Sequence, residues 1–460
     1  MPKPTTDKPT ESNSPCGFDF AQPERASGHR AKAPYTKLSI TIPTIAIKLR
    51  KPPMTSPTPA SDAAAQTARN VWLLVMAQAL GAASVPIIIS LGGIVGQRLT
   101  DTPSLSTLPV SLFSLGLALS TIPAALLMRR WGRRAAYALG ALMGLSAGLI
   151  AAFGILRESF WIFCGGTLIA GFYAACVQNY RFAASDSVAA PQRAKAISRI
   201  MVGGLVAAVI GPQVVIWTRE ALPGAPFAGS FFGQAGLALL ALPLLLLLRM
   251  PPPQTTAVEG EARSLGTIAR RPEFFVAVAA GVVAYGAMSF IMTAAPMAML
   301  GCGHTVGASV LGIQWHVLAM FAPSFFTGHL IARFGKIAVT GAGLLLIAVS
   351  GLLALSGEAL LHFWGSLILL GLGWNFGFIG ATAMVTDVYA PSERAKVQAL
   401  NDFLIFGASA LASFSSGHFL GSAGWNAINA ALIPLIAVTL LMLAWLARHG
   451  KRSSNTGRLC

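Results

Sequence analysis

Acidic residues are scarce in this chain. Sixteen Asp and Glu stand against 33 Lys and Arg in 460 residues, and charges of both signs make up only 11%. A soluble fold of this length needs far more charge to cover its surface. Cysteine is sparse too: Cys16, Cys164, Cys176, Cys302 and Cys460 show no paired spacing. That argues against a disulfide framework and against a thiolate metal site. The seven histidines are scattered, and no pair has metal-ligand spacing. The motifs H-E-x-x-H, G-x-S-x-G between strand and helix, and the Walker phosphate loop are all missing. No metal, no cofactor and no catalytic residue are therefore expected. A membrane enzyme is a remote alternative, and so is a sensor, which would need a soluble output domain.

What fills the chain instead is apolar. It is 54% hydrophobic, with mean hydropathy +0.66, which places it in the membrane class. The net charge of +17 would suggest nucleic acid in a soluble protein. Here the charges sit in short loops between apolar runs, so they report topology, and no nucleic-acid partner is expected.

Residues 1–69 are rich in Pro, Ser, Thr and Lys and lack the apolar core of a secretory signal. This stretch reads as a disordered tail, apart from a strand-like alternation at Leu38–Leu49. Met54 makes an acceptable alternative start, so residues 1–53 are either part of this tail or an overlong beginning. A bilayer core of about 30 Å needs about 20 apolar residues in a helix. Twelve segments qualify: 71–96, 106–128, 135–156, 160–185, 197–218, 229–249, 274–299, 308–331, 337–357, 363–386, 398–420 and 426–446. The expected fold is all-α, with a six-helix half at 70–249, a linker at 250–273, a second half at 274–446 and a tail at 447–460.

With twelve spans both termini share one side. That side carries 29 of the 33 basic residues. Arg98, Arg157 and Arg219 fall opposite, each near an acid, and Arg181 lies inside the fourth segment. The positive-inside rule then makes both termini cytoplasmic, in a multi-pass protein of the inner (plasma) membrane.

Two stretches about 200 residues apart repeat one pattern. Ala125-Leu-Leu-Met-Arg-Arg-Trp-Gly-Arg-Arg134 and Gly328-His-Leu-Ile-Ala-Arg-Phe-Gly-Lys-Ile337 each read small, apolar, Arg, aromatic, Gly, basic. A second pair follows: Asp186 with Pro191, Arg193 and Lys195, and Asp387 with Pro391, Arg394 and Lys396. These loops resemble the motif G-x-L-A-D-R-x-G-R-R of the major facilitator superfamily. Twelve spans with matched loops 2–3 and 8–9 extend the resemblance over the whole transmembrane part. Carried across, Arg130, Gly132, Arg133 and Arg134 match in the first copy, and Arg333, Gly335 and Lys336 in the second. Arg129 and Ala332 stand where the family has Asp. The resemblance implies a cytoplasmic latch formed by these loops. With their acid lost, Asp402, near the start of the eleventh segment, or the end of the tenth segment is expected to supply the acid for Arg129 or Arg130.

Gly211-Pro212 is similar to part of an antiporter motif of the same superfamily, but its trailing glycines are Val215 and Ile216 here. The stretches Tyr180–Asp186, Ile313–His316, Gly373–Phe376 and Gln398–Asp402 resemble an uncharacterised bacterial branch. That likeness fixes no substrate; riboflavin is a candidate through distant relatives.

In such a fold helices 1, 4, 7 and 10 line the central cavity, where polar groups must receive a solute. They supply Gln78, Gln178, Asn179, Arg181, Tyr285, Ser289, Trp374 and Asn375, and the eighth segment adds Gln314 and Trp315. Any of these could instead join helices by hydrogen bonds. Arg181 is the intramembrane cation, expected to attract an anion or to gate. Asp402, the one acid clearly inside a segment, and His316 are the candidates for carrying a coupling proton. The expected function is secondary transport of a small organic solute by alternating access, as a monomer. Proton-coupled uptake is favoured slightly over drug or metabolite efflux, because the first six segments hold no acid near the midplane.

Overall fold

The computed structural model describes residues 60–188, 193–250 and 263–456. The strand-like stretch at 38–49, the start at 1–53 and the linker core at 251–262 lie outside them, as do the side chains of Arg193 and Lys195. The first described element is the helix Ala60–Gly81, which takes in residues 60–69 of the expected tail.

All the described elements are helices. Span 1 is Ala65–Leu99, interrupted near residues 82–83. Two runs of 54 residues, Pro103–Leu156 and Lys396–His449, are each about 80 Å if straight, more than twice a bilayer core. Each breaks at a glycine with positive φ, Gly132 (φ 80°) in the first and Gly424 (φ 79°) in the second. Side chains with a Cβ rarely adopt that conformation. Spans 2 and 3 are thus 108–131 and 133–156, and spans 11 and 12 are 394–423 and 425–456. Between them lie span 4 (Phe160–Asp186), span 5 (Arg193–Thr218), span 6 (Ala228–Leu246), span 7 (Pro272–Gly301), span 9 (Lys336–Leu355) and span 10 (Leu360–Val385). Span 8 comprises Val306–Phe321 and Ser324–Phe334, bent by 44°.

The bend in span 8 has a local cause. Pro323 has no N–H to bond the carbonyl one turn earlier, so the helical ladder is interrupted. In lipid the freed groups need new partners. Asn375 of span 10 supplies them: its Nδ2 donates to Met320 O at 2.6 Å and Ser324 Oγ at 2.7 Å, while Oδ1 accepts from Thr327 Oγ1 at 2.6 Å.

Each half has its own apolar core. One is built around Tyr137, Tyr173 and Ile200, the other around Phe274, Ile291, Leu367 and Ile428. Helices approach closely through small residues. A Cβ on Gly343 would lie 2.2 Å from the backbone nitrogen of Gly377, so spans 9 and 10 touch backbone to backbone there. Outward-facing side chains are large and apolar. Trp161 and Trp217, near the ends of spans 4 and 5, are mostly exposed, as expected of an aromatic belt at the lipid surface.

The linker is clasped where it meets the second half. Arg263 grips Glu393, in the 3-10 turn Pro391–Glu393, through Nε (2.7 Å), Nη2 (2.7 Å) and its backbone nitrogen (2.8 Å), and Ala390 N adds a fourth bond at 2.9 Å. Lys396 Nζ donates to the Arg263 carbonyl. The Arg263 guanidinium, with the Ala390 N–H, pulls the Glu393 carboxyl down to about 2.

Candidate functional site

A cavity of about 180 Å³ lies between the halves, walled by spans 1, 2, 4 and 5 on one side and 7, 8, 10 and 11 on the other. Its second-half wall is aromatic. Tyr285 is the hub, with ring centroids 5.6 Å from Trp374, 5.3 Å from Phe378 and 5.4 Å from Phe406. Trp374 and Phe378 lie one turn apart on span 10 and stack at 5.1 Å and 20°. Phe321 closes the row, 6.3 Å from Trp374. Such a wall favours a flat aromatic solute.

The first-half wall carries the polar groups Gln78, Gln178 and Arg181. Three buried polar atoms on the cavity wall have no hydrogen-bond partner among the described residues: Gln78 Oε1, Arg181 Nε and Trp374 Nε1. An unpaired buried polar atom costs about 1–3 kcal/mol, so turning these groups toward a solute that pairs them is favourable. By contrast Ser289 is engaged with Ser409 of span 11 at 2.6 Å. Arg181 and Asp402, on opposite halves, lie within each other's electrostatic reach, and Asn401 Nδ2 donates to Asp402 Oδ1 at 3.1 Å.

Six of the residues expected from the sequence thus line the cavity: Gln78, Gln178, Arg181, Tyr285, Ser289 and Trp374. Four are placed elsewhere. Asn375 repairs the break in span 8. Asn179 accepts from Tyr137 Oη at 2.9 Å, inside the first half. Trp315 is off the cavity, with 43% of its surface exposed on the outer face of its helix. Gln314 binds Gln213 Nε2 at 3.2 Å across the seam. His316 is also away from the cavity, fully buried, with Nδ1 on Leu367 O at 2.7 Å. Sequence reasoning missed Phe378, Phe406 and Ser409. The first two were legible as one-turn repeats of Trp374 and Asp402.

The seam between halves is tied at one end. Among the described residues three side-chain hydrogen bonds cross it: Ser111 Oγ to Ser413 Oγ (3.2 Å), Thr107 Oγ1 to Phe414 O (3.4 Å) and Gln213 to Gln314. All lie toward the end bearing loops 1–2 and 5–6. None joins the halves at the arginine-loop end, where Arg181 and Gln178 edge the cavity. A two-walled central cavity sealed at one end is the arrangement of a carrier caught in one of its two states.

A family model described as Major Facilitator Superfamily matches residues 71–321 and 277–458. The chain belongs to the major facilitator superfamily. It is 60% identical over 377 residues to the riboflavin transporter RfnT of Brucella anthropi, with 82% of this chain and 95% of that protein covered. It is 33% identical over 380 residues to an uncharacterised MFS-type transporter of Bacillus subtilis, YdeG, covering 78% and 88%. Among solved structures the human organic anion transporter MFSD10 has the same fold, with TM-score 0.61 at 15% identity over 82% of this chain and 99% of that one. The protein is a membrane-embedded secondary transporter of a small solute.

The superfamily loops now take on geometry. Gly132 (φ 80°, ψ 162°) and Gly335 (φ 87°, ψ 156°) share one backbone conformation at equivalent turns. Each is followed by a base bonded to the acid that closes the next hairpin: Arg133 to Asp186 and Lys336 to Asp387, both at 2.5 Å. Arg129, Arg130, Arg333 and Arg394 are in none of the ion pairs among the described residues.

Proposed function

We propose that this chain takes up riboflavin, or a close flavin, into the cytoplasm with a proton as the coupling ion. The observation carrying the reading is the 60% identity to a riboflavin transporter over 95% of that protein's length. The aromatic wall of Tyr285, Trp374, Phe378 and Phe406 suits a planar tricyclic ring, and the polar groups opposite suit its heteroatoms. One chain encloses the whole cavity, which fits a working monomer. The bias of basic residues supports an orientation with both termini and the arginine loops in the cytoplasm, in the inner (plasma) membrane. On that orientation the described state faces inward, sealed outside by the Ser111, Thr107 and Gln213 bonds.

Asp402 is our candidate proton carrier. It is half-buried, one turn before the cavity residue Phe406 and within electrostatic reach of Arg181, so its charge and that of the cation are linked. His316 is set aside for this role, since its Nδ1 is committed to Leu367 O away from the cavity.

The test is transport in proteoliposomes. Riboflavin should accumulate when the inside is alkaline, and an uncoupler should abolish accumulation. Uptake that ignores the gradient removes the proton. Failure to move any flavin while another solute moves removes the substrate.

A further inference from the structure

We propose that the Gln78 carboxamide reads the imide edge of the transported ring and so sets specificity among planar heteroaromatic solutes. This rests on the flavin reading. Gln78 is only 8% exposed, yet its side chain makes no hydrogen bond among the described residues, and Oε1 is fully buried. Polar side chains in membrane helices usually join helices. This one joins nothing and lines the cavity.

Its position is fixed by span 5. A Cβ added to Gly203 would lie 3.0 Å from Gln78 Cβ and 3.2 Å from Cγ. The glycine therefore lets span 5 press against the Gln78 stem and aim the amide.

The chemistry selects the ligand edge. The aromatic cluster around Tyr285 belongs to the second half, and Phe113 is the one aromatic that the first half adds to the lining, so a solute stacked on the cluster turns its rim toward the first half. Of the three unpartnered buried groups on the wall, Arg181 Nε and Trp374 Nε1 can only donate. Gln78 alone accepts as well as donates. An imide presents N–H beside C=O, and a carboxamide that turns its amide into the cavity meets it with two parallel hydrogen bonds: Oε1 accepts the ring N–H and Nε2 donates to the ring carbonyl. A site built to pair a ring N–H discriminates strongly against an analogue lacking it, because its polar group is then left unpaired. Gln178 lines the same cavity but is half-exposed, so water can satisfy it and it discriminates less.

The experiment compares riboflavin with 3-methylriboflavin, whose imide N–H is replaced by N–CH₃, as competitors for riboflavin uptake by the full-length transporter. The unaltered protein should prefer riboflavin on the order of ten- to hundredfold. Gln78→Leu should lose that preference and bind both weakly, while Gln178→Leu keeps it. Gln78→Asn, which withdraws the amide by one carbon and keeps its polarity, should also lose preference while folding normally. Equal affinity for the two flavins in the unaltered protein overturns the proposal, and so does undiminished preference in Gln78→Leu or Gln78→Asn. If the unaltered protein binds neither flavin, the substrate reading itself fails.

Discussion

Gly417 is the position where one added carbon should change the transport cycle. It lies on span 11 at the sealed end of the seam. A Cβ there would sit 2.3 Å from Thr107 Oγ1, 2.9 Å from its Cγ2 and 3.1 Å from its Cβ. Ordinary carbon contacts are about 3.5–4.0 Å. Thr107 cannot swing aside: it is fully buried, β-branched, and bonded through Oγ1 to Phe414 O. Overpacking of this kind costs about 1–3 kcal/mol. The clash exists only while the halves touch at this end, so the whole cost falls on the described state. A differential of that size shifts a two-state population by roughly 5- to 150-fold. Gly417→Ala should therefore open the seam. The assay places a single cysteine at Ser114, a cavity position behind the seam, in a protein freed of its native cysteines. A membrane-impermeant thiol reagent is then applied from the loop 1–2 side. Labelling should rise within that range and turnover should fall, and adding Thr107→Ala, which removes the two nearest clashing atoms but also one seam bond, should reverse both in part. A correctly folded Gly417→Ala that labels at the parental rate would refute the steric account.

Other outcomes follow from single contacts. Asn375→Leu should leave Met320 O and the Ser324 hydroxyl without their Asn375 partner, while the Thr327 hydroxyl keeps Pro323 O, at about 1–3 kcal/mol for each buried group left unpaired, read as a lowered Tm in detergent. Asp402→Asn should end gradient-driven accumulation while leaving riboflavin exchange intact, measured by counterflow. Glu393 has a depressed folded-state value, so its clasp stabilises above the ordinary carboxylate range and is lost as pH falls toward about 2. Glu393→Gln should therefore lower Tm at pH 7, with the difference from the parent shrinking below about pH 4. Reversing the exposed pair, as Arg133→Asp with Asp186→Arg, should change stability by less than about 1 kcal/mol.

The sequence made the repeat legible because the repeat is chemical. A glycine is needed where the chain turns with positive φ, a base follows it, and an acid waits at the end of the next hairpin; all three recur in order. Depth along each helix was legible too, by counting residues from the loops. Rotation was not. Trp374 and Asn375 are neighbours in sequence, but about 100° apart around the helix, so one faces the cavity and the other faces span 8. The same rotation carries Trp315 and His316 away from the solute path. These helices are apolar on nearly every side, so the pattern gives no polar stripe to orient them. The span 8 bend, with its demand for Asn375, is visible in the sequence only as Pro323.

The acid missing from both arginine loops can now be weighed against this state. Asp402 was expected to pair with Arg129 or Arg130, and neither arginine is in any ion pair among the described residues. The charge that acts on Asp402 is instead that of Arg181, from span 4. A bond between loop 2–3 and span 11 would join the halves at the arginine-loop end. The three bonds that cross the seam are all at the other end. A rigid pair of halves rocking about a central site cannot be tied at both ends and still admit solute. The absence of an Arg129 or Arg130 contact is therefore what this state requires, and it leaves the opposite state as the one in which such a bond can form. The bonds within each half, Arg133 to Asp186 and Lys336 to Asp387, behave differently: they do not cross the seam, so rocking need not break them. They tie each arginine loop to the next hairpin of its own half, and on our proposal the gating charges are the residues of opposite halves, Arg181 and Asp402.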